Sequence, residues 1–151
     1  MTHIYIDGSW SGKSKCGGWA VRVDSPGVRD HRGEIAPMYK IGHICGETSQ
    51  YMEVFALKEA LKILHAGQNV TLHTDSKYIE GMLTRGWAAR AHPGLWSTIR
   101  QLLDRLSLSL TVIHHERNST DEMEDIDNRA NIGRKHQDLH KWFQENVKKG
   151  G

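Results

Sequence analysis

Two aspartates occupy equivalent places in the sequence, each directly after a strand-like run. His3-Ile4-Tyr5-Ile6 leads into Asp7, and the segment 70–74 (Val-Thr-Leu-His-Thr) leads into Asp75. Runs of β-prone and apolar residues of this length predict strands. Because ligands in open α/β sheets bind beyond the carboxyl ends of the strands, Asp7 and Asp75 are predicted to share one site.

A third carboxylate, Glu53, is predicted to face inward from a helix. The helix is capped by Thr48 or Ser49, and Gly67 lies just past its end. Glu53 lies in phase with Leu57, Ala60 and Leu64, on the apolar stripe of this helix. An inward carboxylate is costly unless a partner compensates its charge, and a cation could be that partner.

The elements that must position these residues follow the order β-β-β-α-β-α-α-β-α. Strands are predicted at about 2–7, 19–23, 34–39 with a continuation over 41–45, 70–75 and 109–115. Helices are predicted at about 48–66, 76–83, 95–106 and 120–147, the last with a capping box from Ser119 to Glu122, a possible interruption at Gly133, and apolar contacts from Trp142, Phe143 and Val147. This pattern predicts a single α/β domain over residues 1–151.

Composition limits the classes of protein to consider. The chain has 151 residues, of which 38% are hydrophobic and 25% charged, typical of one globular domain. No window resembles a membrane span or a secretion signal, so we expect a cytoplasmic protein. Cys16 and Cys45 form no CxxC pair, which disfavours a zinc site or a disulfide framework and predicts two free thiols. The net charge of +2 says little about partners.

Four short motifs together resemble those of the type 1 ribonuclease H family, of bacterial type, within the ribonuclease H-like superfamily. They are Asp7-Gly8-Ser9, Met52-Glu53, Thr74-Asp75-Ser76 and Asp127-Asn128-Arg129-Ala130. The likeness extends over nearly the whole chain. It implies a five-stranded mixed sheet in the order 3-2-1-4-5, flanked by helices on both faces. It also implies endonucleolytic hydrolysis of the RNA strand of an RNA/DNA hybrid, dependent on Mg²⁺ or Mn²⁺, leaving 5′-phosphate and 3′-hydroxyl ends.

The resemblance also implies roles for particular acids. Asp7, Glu53, Asp75 and Asp127 would hold two Mg²⁺ ions, with Asp7 shared between them, Asp127 on the ion that positions the attacking water, and Glu53 and Asp75 on the ion of the leaving group. Glu124, three residues before Asp127, would assist in the outer shell. Two ions so placed activate a water and stabilise the leaving oxygen on opposite sides of phosphorus.

Family members often carry a histidine on a flexible loop that aids proton transfer or product release. His115 is the nearest match, followed by His114, although the glycine frame around that histidine is absent here. A structural histidine at the end of a strand is an equal alternative.

Contacts with a hybrid are implied at two loops. The matching positions are Gly8, Ser9, Cys16 and Gly17 in the first, and Thr48, Ser49 and Gln50 before the Glu53 helix. They would read 2′-hydroxyls and phosphates across the minor groove. Ser49-Gln50 stands where the family commonly has paired asparagines. The region around 86–96 is shorter than the basic protrusion of many relatives, which predicts weaker hybrid binding because fewer phosphates are neutralised.

Other interpretations remain open. Asp7 or Asp75 could cap a helix or form a turn, Glu53 could be a first-turn acid favoured by the helix dipole, and Asp127 could belong to a solvated acidic helix start. As alternatives in function, the chain could be a non-catalytic module that binds hybrid or double-stranded RNA, or a related nuclease that acts on DNA. Retention of all four acids favours the enzyme. We expect a monomer without an obligate protein partner and without membrane attachment.

Overall fold

A computed structural model of the chain describes the backbone of residues 1–149 and the side chains of residues 1–135. The strands are β1 (Thr2–Ser11), β2 (Cys16–Asp24), β3 (Met38–Cys45), β4 (Asn69–Thr74) and β5 (Ser109–His114). The helices are α1 (Ser49–Lys62), α2 (Lys77–Thr84), α3 (Pro93–Leu106) and α4 (Asp121–Lys149). The predicted element order is confirmed.

The strands form one five-stranded sheet in the order β3-β2-β1-β4-β5. β1 pairs with β2, and β2 with β3, in antiparallel fashion, whereas β1 with β4 and β4 with β5 are parallel. This mixed sheet confirms the predicted fold class. Because parallel neighbours need a crossover connection, α1 leads to β4, and α2 with α3 leads to β5.

Alternation along β1 divides the core between the two faces of the sheet. Ile4 and Ile6 belong to the larger cluster, which includes residues of α1, α2 and α3. Tyr5 faces the other side and packs with Met123, Ile126 and other residues of α4 and β2. Helices therefore cover both faces, as predicted.

Glycines allow α4 to lie close against β2 and β3. A Cβ on Gly133 would lie 2.7 Å from the carbonyl oxygen of Gly42, and a Cβ on Gly18 would collide with the backbone at Ala130. α4 is therefore held against the sheet where it carries Asp127. The helix continues through Gly133, so the interruption considered there is wrong.

Several predicted boundaries also need correction. β1 does not end at Asp7 but continues to Ser11, because its pairing with β2 persists. β3 begins only at Met38, since the preceding segment makes a single isolated bridge between Arg29 and Ile35. α4 is capped by Thr120, whose Oγ1 accepts from the backbone N–H of Met123, and not by Ser119. Trp142, Phe143 and Val147 lie outside the described side chains.

Among the described residues, none of the helices combines the length and the apolar character that crossing a bilayer requires.

Candidate active site

The acidic site opens where β1 and β4 separate. These parallel strands stay paired only as far as Tyr5 opposite His73. Asp7 and Asp75 each lie two residues further along, where β1 remains paired with β2 but no longer with β4. The gap between parallel strands that diverge at their carboxyl ends is the usual ligand position of such sheets.

Glu53 reaches the same gap from the first turns of α1. Thr48 caps this helix, and its side chain accepts a hydrogen bond from the backbone N–H of Tyr51. β1 can approach the helix because Gly8 has no side chain; a Cβ there would lie 2.8 Å from the backbone nitrogen of Glu53. One carboxylate oxygen from each of Asp7, Glu53 and Asp75 lies within 4.8 Å of the other two.

Asp127 lines the same cleft from α4. The cleft has a volume of about 390 Å³ and is open to solvent on one side. The Asp127 side chain is almost buried, and its Oδ2 lies 3.5 Å from Asn131 Nδ2. The structure therefore brings together all four acids singled out in the sequence. Glu124 is exposed on α4 and is not among the described residues that line the cleft.

The acids act on one another electrostatically. Burial, followed by the charge of Asp75 and by Asp127, raises the pKa of Asp7 to about 9. Burial and then the charge of Asp75 raise the pKa of Glu53 to about 7. Burial also raises the pKa of Asp75, although the Arg117 guanidinium opposes this. Carboxylates that are difficult to ionise together form a site that a multivalent cation would stabilise.

Arg117 is a residue of the cleft that the sequence reasoning missed. It lies in the loop between β5 and α4, with Nη2 3.8 Å from Asp127 Oδ1, and its positive charge lowers the pKa of both Glu53 and Asp75. Its position two residues after His115 was the available signal, because the resemblance implies a functional histidine on the loop after β5.

A second set of polar contacts joins β1 to α4 along the cleft. Ser9 donates from Oγ to Asn131 Oδ1 at 2.5 Å and accepts from Arg134 Nε at 3.0 Å. Ser9, Asn131 and Arg134 all line the cleft. The sequence singled out Ser9, but the two α4 residues have no local motif that would identify them.

The residues predicted to contact the substrate fall into three groups. Gly8, Ser9 and Ser49 line the cleft, whereas Gln50 lines a neighbouring pocket together with Tyr78, Trp87 and Arg90. The others do not line either pocket: Thr48 caps α1, Gly17 is buried beside Met52, and Cys16 is fully buried.

Cys16 and Cys45 form a disulfide, so the prediction of free thiols is wrong. They face each other as the last cross-strand pair of β2 and β3, with Cα atoms 4.0 Å apart. The absence of a CxxC pair carried no information, because antiparallel pairing brings together residues that are 29 positions apart. The buried Cys16 sulfur cannot contact a substrate as a thiol.

The two candidate histidines point to different partners. His114 Nε2 lies 3.1 Å from the backbone oxygen of Asp75, and His115 Nε2 lies 2.7 Å from His73 Nδ1. Neither is among the described residues that line the cleft. Burial, and then the neighbouring His115 and His3, lowers the pKa of His73 to about 4, so this ring is neutral near pH 7.

Several known proteins with similar sequences are named ribonuclease H. The family model described as RNase H matches residues 1–148. The ribonuclease H of Syntrophus aciditrophicus is 27% identical in an alignment of 146 positions that covers 87% of this chain and 80% of that protein. Those of Trichodesmium erythraeum and Moorella thermoacetica are 36% and 34% identical over 62% and 65% of this chain. The latter two alignments span 54% and 59% of those proteins, little more than half of their length.

Two solved structures share the fold. The N-terminal RNase H domain of a Mycobacterium tuberculosis protein, solved as a fusion with maltose-binding protein, has a TM-score of 0.73 at 16% identity and covers 92% of this chain and 96% of that one. LC11-RNase H1, isolated from compost by a metagenomic approach, has a TM-score of 0.68 at 18% identity, covering 90% and 96%. At these identities the likeness concerns the fold alone.

Proposed function

Because the chain belongs to the RNase H family, we propose that it cuts the RNA strand of RNA/DNA hybrids endonucleolytically, leaving 5′-phosphate and 3′-hydroxyl ends. The family assignment and the names of its relatives make it a nuclease of the hydrolase class. The observation that carries the proposed reaction is the cluster of Asp7, Glu53 and Asp75 within 4.8 Å, with Asp127 on the same wall.

The donor set fits Mg²⁺, with Mn²⁺ as a substitute. It consists of carboxylate oxygens, which hard divalent cations prefer to imidazole or thiolate ligands. Asp7, Glu53, Asp75 and Asp127 would hold two ions between them, and the raised pKa of Asp7 supports a demand for positive charge. When bound, such ions activate the attacking water and stabilise the leaving oxygen.

The protein's own residues would then orient the substrate. Arg117 and Arg134 also line the cleft, and we expect their guanidinium groups to contact the phosphates of the RNA strand. The backbone at Gly8 and the hydroxyl of Ser49 would contact 2′-hydroxyls, which distinguish RNA from DNA. Glu124 would assist in the outer shell of the metal site. Gly17, Thr48 and Gln50 would make further contacts with the hybrid.

A labelled RNA/DNA hybrid tests the proposal. The purified protein is incubated with the hybrid in Mg²⁺, in Mn²⁺ and in EDTA, with the Asp7→Asn variant and duplex DNA as controls. We expect metal-dependent cuts in the RNA strand only, lost in the variant, with ends that a 5′-phosphate-dependent exonuclease accepts. Binding without cutting would favour a non-catalytic module, and cutting of duplex DNA would favour the alternative nuclease.

Cellular context is part of the same proposal. We propose that the protein acts in the cytoplasm as a monomer, with a single domain that has a shortened basic region around residues 86–96. In the structure residues 85–92 form the loop between α2 and α3, and residues 93–96 belong to the first turn of α3. Size-exclusion chromatography with light scattering tests the monomer, since a dimer would double the measured mass.

A further inference from the structure

Three histidine rings form a line across the sheet, outside the acidic cleft. His3 Nδ1 lies 2.9 Å from His73 Nε2, and His73 Nδ1 lies 2.7 Å from His115 Nε2. Each neutral imidazole has one N–H donor and one acceptor nitrogen, so three rings can satisfy one another in sequence along such a line. The line connects the start of β1, strand β4 and the residue that follows β5.

The middle ring of this line is fixed on several sides. His73 is nearly buried, with 7% of its surface exposed, and its ring stacks on Tyr5 with centroids 4.3 Å apart. Tyr5 in turn packs against Met123 and Ile126 of α4. His115 is therefore attached to a ring that the core itself holds in place.

His115 is also the last anchored residue before a loop with few contacts of its own. Its backbone N–H donates to Thr74 O at 2.9 Å, and the chain is next fixed where Thr120 caps α4. The side chains of residues 116–119 are exposed, and Asn118 adopts a positive φ of 54°. Arg117 lies within this loop, with 76% of its side chain exposed, yet its guanidinium lies in the acidic cleft.

We propose that His115 is a positioning residue, which anchors the β5–α4 loop to the line of histidines and so holds Arg117 at the acidic cleft. An exposed arginine on an unanchored loop samples many rotamers and backbone states, so only part of its population would face the phosphate. The catalytic consequence rests on the proposed function, whereas the anchoring of the loop does not.

Nicking by trypsin after Arg117 measures the anchoring without any substrate. His115→Ala should speed cleavage of the Arg117–Asn118 bond by about tenfold, because loss of a partly buried hydrogen bond raises the open population of the loop. Cleavage after Arg32, whose side chain is 68% exposed in another loop, is the internal reference and should not change. His65→Ala, at an exposed histidine after α1, is the matched control variant.

The His115→Gln variant distinguishes anchoring of the β5–α4 loop from proton transfer by His115. Its side-chain amide can reach the position of the imidazole Nε2 and bond to His73, but it cannot carry a proton near neutral pH. Trypsin should therefore cleave the Arg117–Asn118 bond of His115→Gln at close to the wild-type rate. If His115→Ala fails to fold, His3→Ala at the far end of the line should give the same change in smaller degree. Nicking that is unchanged in both alanine variants would overturn the proposal.

Kinetics on the hybrid extend the test to catalysis. We expect kcat to fall about tenfold in His115→Ala with KM little changed, to be largely restored in His115→Gln, and to fall no further when Arg117→Ala is combined with His115→Ala. Additive losses, or a glutamine variant as slow as the alanine variant, would contradict positioning and favour direct proton transfer. If the wild type cuts no hybrid, the proposed function fails while the nicking rates still decide whether His115 anchors the loop.

Discussion

Two clusters of acidic residues, one in the cleft and one around Asp125, differ in their partners. Asp125 accepts from Arg22 Nη1 at 2.8 Å, Tyr39 Oη at 2.7 Å and Arg129 Nε at 3.0 Å. Although burial alone would raise its pKa, the hydrogen bonds from Tyr39, Arg129 and Arg22 hold the pKa of Asp125 below its usual value. Two residues further along α4, Asp127 faces the cleft.

In the cleft the acids mainly face each other. Apart from Arg117 and His114, the charges that act on Asp7, Glu53 and Asp75 are other carboxylates, and the pKa values of these three acids are raised. Carboxylates that receive their cations from the protein stabilise the fold, whereas carboxylates gathered without enough cations have an affinity for an added one. The comparison therefore separates structural acids from candidate catalytic acids without reference to relatives.

The largest expected difference between the clusters is in activity. Asp75→Asn should lower the rate of hybrid cleavage on the order of 100- to 1,000-fold, because a ligand of the proposed metal site is lost. Asp125→Asn should leave the rate little changed. The measurement is single-turnover cleavage in Mg²⁺ with folded variants. Equal losses of cleavage rate in the two variants would contradict a catalytic role for Asp75 and a structural role for Asp125.

A disulfide lies beside the cleft, because Cys16 pairs with Ser11, which lines the cleft; the cluster around Asp125 contains no disulfide. Reduction of the Cys16–Cys45 disulfide, which joins residues 29 positions apart, should lower the free energy of unfolding by about 3–4 kcal/mol. Urea denaturation with and without dithiothreitol measures the difference. The Cys16→Ser/Cys45→Ser variant is the control and should not respond to the reductant; equal stability of oxidised and reduced wild type would contradict the prediction.

Removing one of the two cations that pair with Asp125 should lower the stability of the fold. Arg22→Met keeps an extended apolar side chain but leaves Asp125 and Asp24 without the guanidinium that they share. We expect a loss of about 1–3 kcal/mol in the free energy of unfolding, since the ion pair is largely buried. Denaturant titration of this variant beside wild type is the measurement, and a stability equal to wild type would mean that the cluster contributes nothing to folding.

The dependence of stability on pH tests the electrostatics of the cleft. In EDTA the folded-state pKa values of Asp7 and Glu53, about 9 and about 7, lie above their ordinary values, so the folded protein binds more protons than the unfolded chain. Stability should therefore fall as pH rises from 5 to 9, with a slope of up to about 1.4 kcal/mol per pH unit for each such group.

Asp7→Asn should flatten this slope, and saturating Mg²⁺ should flatten it in the wild type. Asp104→Asn, at an exposed position on α3, serves as the matched control and should keep the wild-type slope. The free energy of unfolding is measured by denaturant titration at each pH. A wild-type stability that rises across this range in EDTA would contradict the electrostatic account of the cleft.

Local signals were sufficient for much of the fold. Apolar runs placed four of the strands, whereas β3 was predicted to begin four residues too early, and the apolar stripe with Thr48 as a cap placed α1. Errors arose at the boundaries: β1 extends to Ser11 because β2 continues to pair with it, which is a cross-strand effect. In the site, the inward phase of Glu53 was readable from helical spacing, because every residue in that argument lies on one helix.

The sequence by itself determined the element order, the sheet topology through its family likeness, and the identity of the four acids, because these depend on short-range patterns and motifs. Their metal binding and catalytic roles stay predictions. Only the tertiary structure decided that Cys16 meets Cys45, that Arg117 enters the cleft and that His115 joins His73 and His3. Each of these contacts depends on strand register or on a loop path, and residues distant in the chain become neighbours only when the sheet and α4 are in place.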